Sequence, residues 1–169
     1  MEYKYIQECF NKALEITKNM MFKEEITDEE WEKAVEISNQ LYKKGRDVLN
    51  SIYYRNVSLL YLAVFDIVAR KQNAIKKGTY PPDMDINKEY ADIKALFVLG
   101  WSIIKDFALN QEELFNKERQ EALLDKSNSY SKFQNDFYDK EVAEFFKVCL
   151  GFVEAKQKNL LSKQEKRAV

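Results

Sequence analysis

The sequence predicts an all-α, single-domain bundle of five or six helices, and three observations carry that expectation. Apolar residues recur at steps of three and four along most of the chain, the period of one helix face. The 169 residues include only 4 Gly and 2 Pro, too few turn formers for a sheet with many hairpins. Strand-like alternation persists nowhere, and no repeat of solenoid length is present. A hydrophobic share of 46% with 33% charged residues supplies both a packed core and a solvated surface. With 11 Phe and 10 Tyr the chain is too rich in large apolar groups to stay disordered.

The first helix spans roughly residues 2–21, with Tyr3, Ile6, Phe10, Ala13, Leu14, Thr17 and Met21 on one face. Thr27-Asp28-Glu29-Glu30 then reads as a capping box, with Ile26 and Trp31 placed for a hydrophobic staple. The second helix carries Trp31, Ala34, Val35, Ser38, Leu41 and Tyr42, and its stripe continues through Gly45 to Val48, Leu49 and Ile52. Gly45 either caps this helix or sits inside a longer one against a close neighbour; a break or kink within a near-continuous path is the favoured reading.

The third segment, 51–77, is apolar nearly all round from Val57 to Ala69, so other helices should surround it. That run is shorter than the ~20 residues of a membrane span, and no membrane association is expected. Lys76-Lys77-Gly78 stops the helix, and Pro81-Pro82 marks the clearest loop. The fourth helix, about 87–110, starts at an Asp85 or Asn87 cap and has a wide apolar face from Ile93 to Ala108. Gly100 within it predicts a close helix–helix contact. Residues 111–126 are polar but helix-prone, 126–129 read as a loop, and the last helix covers about 131–161. The third and fourth helices should form a central antiparallel pair. The domain is taken as 1–161, with 162–169 a basic tail expected to fray.

Absences narrow the chemistry. With no His, there is no Ser–His or Cys–His nucleophile and no imidazole metal site. Cys9 and Cys149 alone cannot make a four-cysteine zinc site, and are expected as reduced, buried thiols of a cytoplasmic protein. The isolated glycines 45, 78, 100 and 151 exclude a glycine-rich phosphate cradle. A net charge of −1 excludes a globally basic nucleic-acid binder. No cofactor is expected.

Three positive features remain. Carboxylate pairs at helical spacing occur at Glu29/Glu32, Glu89/Asp92, Glu118/Glu121 and Glu141/Glu144. Glu89-Tyr90-Ala91-Asp92 resembles the Glu-x-x-Asp element with which helical nucleotide pyrophosphohydrolases hold magnesium. The Glu-x-x-Glu that should precede it on an apolar helix is missing, so the family is not assigned. Asp66 interrupts the most apolar helix and is expected to be a buried polar group paired with Arg70, four residues on. Two basic segments also stand out. One holds Arg70, Lys71, Lys76 and Lys77 with Tyr80; the other holds Lys156, Lys158, Lys163, Lys166 and Arg167. Were they to converge, they could track a phosphate backbone.

The leading functional expectation, by exclusion, is a non-enzymatic protein-interaction module that binds a protein partner or itself. A small accessory, regulatory or inhibitor protein would fit that description, and the Lys-, Asn- and Ile-rich composition points to the AT-rich genome of a bacterium or phage. Aromatic residues near helix ends or beside stripe residues, Tyr3, Tyr5, Tyr53, Tyr54, Tyr130 and Tyr138, are candidates for the protein's surface, although for any single one of them a place in the aromatic core is the favoured reading. The alternatives are a helical subunit that contacts nucleic acid through 70–77 and 156–167, and a magnesium-dependent hydrolase using carboxylate pairs.

Overall fold

A computed structural model describes residues 1–129 and 136–168. Among them are six α-helices and no strand: α1 Glu2–Met21, α2 Asp28–Lys43, α3 Tyr54–Lys76, α4 Ile86–Ile104, α5 Lys117–Asn128 and α6 Asp139–Ala168. The capping box closes as the sequence requires. The Glu30 N–H donates to the Thr27 hydroxyl at 3.3 Å, and the Thr27 N–H donates to the Glu30 carboxylate at 2.9 Å. Gly78, at φ 67°, ends α3 in the left-handed conformation, with the Thr79 N–H returned to the Ala74 carbonyl at 2.8 Å.

Gly45 does not stop α2. The helix continues through a π-helical turn, 44–48, and Gly45 is buried because the Tyr5 ring occupies the space a side chain would need. Tyr5 donates its hydroxyl to the Leu41 carbonyl across this contact, at 2.9 Å. The break falls at Asn50, at φ 49°. A second π-helical turn, 105–109, extends α4. Gly100 is the expected close approach: a Cβ there would lie 2.8 Å from the Cys149 sulfur and 2.9 Å from the Phe145 ring.

The pairing of helices differs from expectation. Helices α3 and α4 do not form a central pair; each packs against both α1 and α6, so they lie across a four-helix core from one another. The two runs are apolar because each faces the common interior, which periodicity cannot distinguish from mutual contact. Phe10 of α1, Phe97 of α4 and Phe145 and Phe152 of α6 meet there, with ring centroids 4.8–6.4 Å apart. Cys9 and Cys149 are free and buried in this core. Burial pushes the Cys9 thiol up to about 12, so it is an inert apolar group.

Helix α2 packs on the outside of α3, antiparallel to it: Trp31 meets Phe65 and Tyr42 meets Tyr54. Helix α6 also runs antiparallel to α3, with Phe152 stacked on Tyr53 and Phe137 under Arg70. Three boundaries move. Residues 111–116 precede α5 as a non-helical segment, 126–128 are helical rather than loop, and α6 continues past residue 161 to Ala168. The expected helical start at 131–135, including Phe133, and Tyr130 lie outside the described residues.

Candidate functional site

The two basic segments do not converge. The start of α6 lies at the C-terminal end of α3, whereas Phe152 already lies level with Tyr53, just before α3 begins. Eighteen helical residues separate Tyr138 from Lys156, which is about 27 Å at the α-helical rise. Lys158, Lys163, Lys166 and Arg167 are exposed along α6 and Lys156 is half-buried, all at the end of the bundle away from the Pro loop. The cations of the first segment also serve different ends. Lys76 and Lys77 are exposed. Arg70 lays its guanidinium 4.4 Å over the Phe137 ring and donates from Nε to the Phe137 carbonyl at 3.2 Å. Lys71 is buried.

Asp66 is exposed, which corrects the expectation of a buried polar group. It shares the solvent-facing stripe of α3, and the expected partner Arg70 is turned onto Phe137. The buried carboxylate is instead Glu89, 1% exposed, in the first turn of α4. Tyr80 and Tyr138 both donate their hydroxyls to it, one to each oxygen. The Lys71 ammonium lies 3.5 Å from Glu89 Oε1, 5.2 Å from the Tyr80 ring centroid, and donates to the Met21 carbonyl at 2.5 Å. Burial, then the bond to Glu89, raises the Tyr80 and Tyr138 hydroxyls well above the ordinary tyrosine range. The cluster joins the end of α1, the end of α3, the Pro loop, α4 and the entry to α6. Both Glu89 oxygens are engaged, so the carboxylate that the Glu89/Asp92 pair would offer a magnesium ion is committed to the protein. Asp92 itself pairs with Lys88 at 2.8 Å. Among the described residues no three ligating side chains gather as a metal site.

Sequence reasoning missed this cluster because Lys71 and Tyr138 lie 18 and 49 residues from Glu89. An acid in the first turn of a capped helix is also explained locally by the dipole. Beside the cluster opens a cavity of about 370 Å³, lined by Phe22, Ile75, Met84 and Ile86 with Lys71 and Tyr80.

The other feature that stands out is the outer stripe of α3. Arg55, Leu59, Leu62, Asp66 and Arg70 follow one another along one side of the helix. Of these, Arg55, Leu59, Leu62, Asp66 and Arg70 are all exposed. Leu59 is 49% and Leu62 56% exposed. Among the described residues they are the one pair of exposed large hydrophobics that sit a turn apart on a single helix. The register of α2 on α3 sets Val35, also exposed, level with Leu62, and the half-buried Trp31 and Phe65 continue the apolar surface.

No family model matches the chain, and comparisons with curated proteins and with solved structures find no match.

The tyrosines that were candidates for the surface are mostly structural. Tyr5, Tyr53 and Tyr138 are buried, Tyr54 is half-buried against Tyr42, and Tyr3 leans on Trp101 at 5.5 Å. Most exposed large hydrophobics among the described residues are aliphatic, Tyr3 and Phe22 being the aromatic ones, and most of the aromatic excess fills the core. No described helix is long and apolar enough to cross a membrane.

Proposed function

We propose that this chain is a non-catalytic protein-interaction module that binds through the outer face of α2 and α3. The observation that carries the reading is the exposed Leu59–Leu62 pair, widened by Val35 and rimmed by Arg55, Asp66 and Arg70. An apolar centre with a charged rim is the anatomy of a protein-binding patch. The polar cluster around Glu89 supports a non-catalytic role, since its donors and acceptors hold helices to one another. The separation of the two basic segments weighs against a shared nucleic-acid track, and the engaged Glu89 against a magnesium-dependent hydrolase. The reading extends to a small cytoplasmic accessory, regulatory or inhibitor protein of a bacterium or phage. Two free, buried cysteines and the Lys- and Asn-rich composition support that extension.

The test compares the natural chain with a Leu59→Lys/Leu62→Lys variant. Both are assayed for self-association and for capture of proteins from nuclease-treated lysate. Both leucines are exposed, so the variant should fold normally. Association present in the natural chain and absent in the variant is the expected result. A natural chain that neither self-associates nor captures anything, or a variant that behaves as the natural chain does, defeats the reading.

A further inference from the structure

We propose that the partner bound by this face is a second copy of the chain, with the two α3 helices packed antiparallel about a two-fold axis passing between Leu59 and Leu62. The inference rests on the protein-binding reading above and names its partner. The exposed stripe 55, 59, 62, 66 is symmetric about the midpoint of its two leucines, and its flanking charges are of opposite sign. A two-fold rotation perpendicular to α3 at that midpoint reverses the helix. It sets Leu59 against Leu62 of the partner subunit and Arg55 against Asp66 of the partner subunit, each contact made twice. The 4-3-4 spacing is that of an antiparallel helical seam, in which successive residues fall on one line along the helix. A parallel arrangement would place Arg55 against Arg55 of the partner subunit and Asp66 against Asp66 of the partner subunit, a repulsion that selects against it.

The neighbouring helix carries the same symmetry. The same rotation brings α6 alongside its own copy. The contacts of Tyr53 with Phe152 and of Arg70 with Phe137 fix the register of α6 on α3. In that register the level of the axis falls between Glu144 and Lys147. Both are exposed, and Glu144 lines the same α3–α6 seam as Asp66. Glu144 therefore meets Lys147 of the partner subunit. A foreign partner would require no such mirror-ordered charges on two adjacent helices, whereas an isologous dimer does.

Sedimentation velocity on the full chain over a dilution series tests this, with Arg55→Asp, Asp66→Arg and the double charge swap. The natural chain should dimerise reversibly. Each single reversal brings like charges together twice and should weaken dimerisation by about tenfold or more. The double swap restores opposite signs and should recover dimerisation to within about threefold of the natural chain. Helical circular dichroism should be the same for all four, since both residues are exposed. A natural chain that stays monomeric at every concentration overturns the proposal, as does a dimer indifferent to the single reversals or not rescued by the swap. A monomeric chain that still captures another protein through Leu59 and Leu62 overturns self-pairing alone and leaves the protein-binding reading standing. Loss of both removes both.

Discussion

Replacing Lys71 with Met keeps the length of the side chain and removes its charge. The Glu89 carboxylate, 1% exposed, would then be buried with two tyrosine hydroxyls and no cation, and the Met21 carbonyl would lose its donor. Breaking a buried pair from one side costs about 3–5 kcal/mol. The two hydroxyls stay in place and still stabilise the carboxylate, so the low end, about 3 kcal/mol, is expected. Against a total stability of about 5–15 kcal/mol that is a large loss. For a chain of this size it corresponds to a fall in Tm of about 6–12 °C. Glu89→Gln should also destabilise, because it strands the Lys71 ammonium. The double variant Lys71→Met/Glu89→Gln leaves no buried charge and should be no less stable than either single one. Urea denaturation followed by circular dichroism measures all three. A single variant within about 0.5 kcal/mol of the natural chain, or a double variant whose loss is the sum of the singles, would refute the ion-pair account of this cluster.

Other perturbations follow from the same geometry. Gly100→Ala should destabilise by about 1–2 kcal/mol in urea, because overpacking against Cys149 and Phe145 outweighs the gain in helix propensity; adding Cys149→Ala should recover part of it. Thr27→Ala should cost about 1 kcal/mol and leave the fold intact, since it removes only one half of the capping box. High pH should unfold the protein. The hydroxyls of Tyr5, Tyr61 and Tyr138 are raised in the folded state, mainly by burial. The stability they contribute is therefore complete below the ordinary tyrosine value near 10, and is lost as the pH climbs above it. Tyrosinate absorbance and loss of helical dichroism should rise together above that pH. Release of all 10 tyrosine protons from a still-helical chain would contradict the assignment.

What the sequence made legible was local. Thr27 and Glu30 stand three residues apart and define a helix start by themselves, and Gly78 after two lysines defines a stop. Gly100 within an apolar run announced a close contact, though not that Cys149 and Phe145 supplied it. What stayed hidden was the placement of helices around the core. The runs of α3 and α4 suggested mutual contact, yet both face an interior shared with α1 and α6. For the same reason Asp66 read as buried: in a run apolar nearly all round, Leu59 and Leu62 concealed which face was wet. Glu89 stood out only as half of a carboxylate pair with Asp92; its burial stayed hidden because its partners Lys71 and Tyr138 approach it only in the folded chain. The surface followed a similar rule. Tyr5, Tyr53 and Tyr138 sit near helix ends, where tertiary contacts rather than periodicity decide burial.

The most direct test of the role assigned to α3 is oxidative footprinting of the natural chain, dilute and concentrated, and in nuclease-treated lysate. Val98 and Leu124, both 60% exposed and on other helices, serve as internal references. Leu59 and Leu62 should become protected as the chain is concentrated or meets its partner, while Val98 and Leu124 continue to oxidise. Leucines on α3 that oxidise as fast as Val98 under every condition, or protection that falls on Val98 or Leu124 instead, would contradict the assignment of this face as the binding surface.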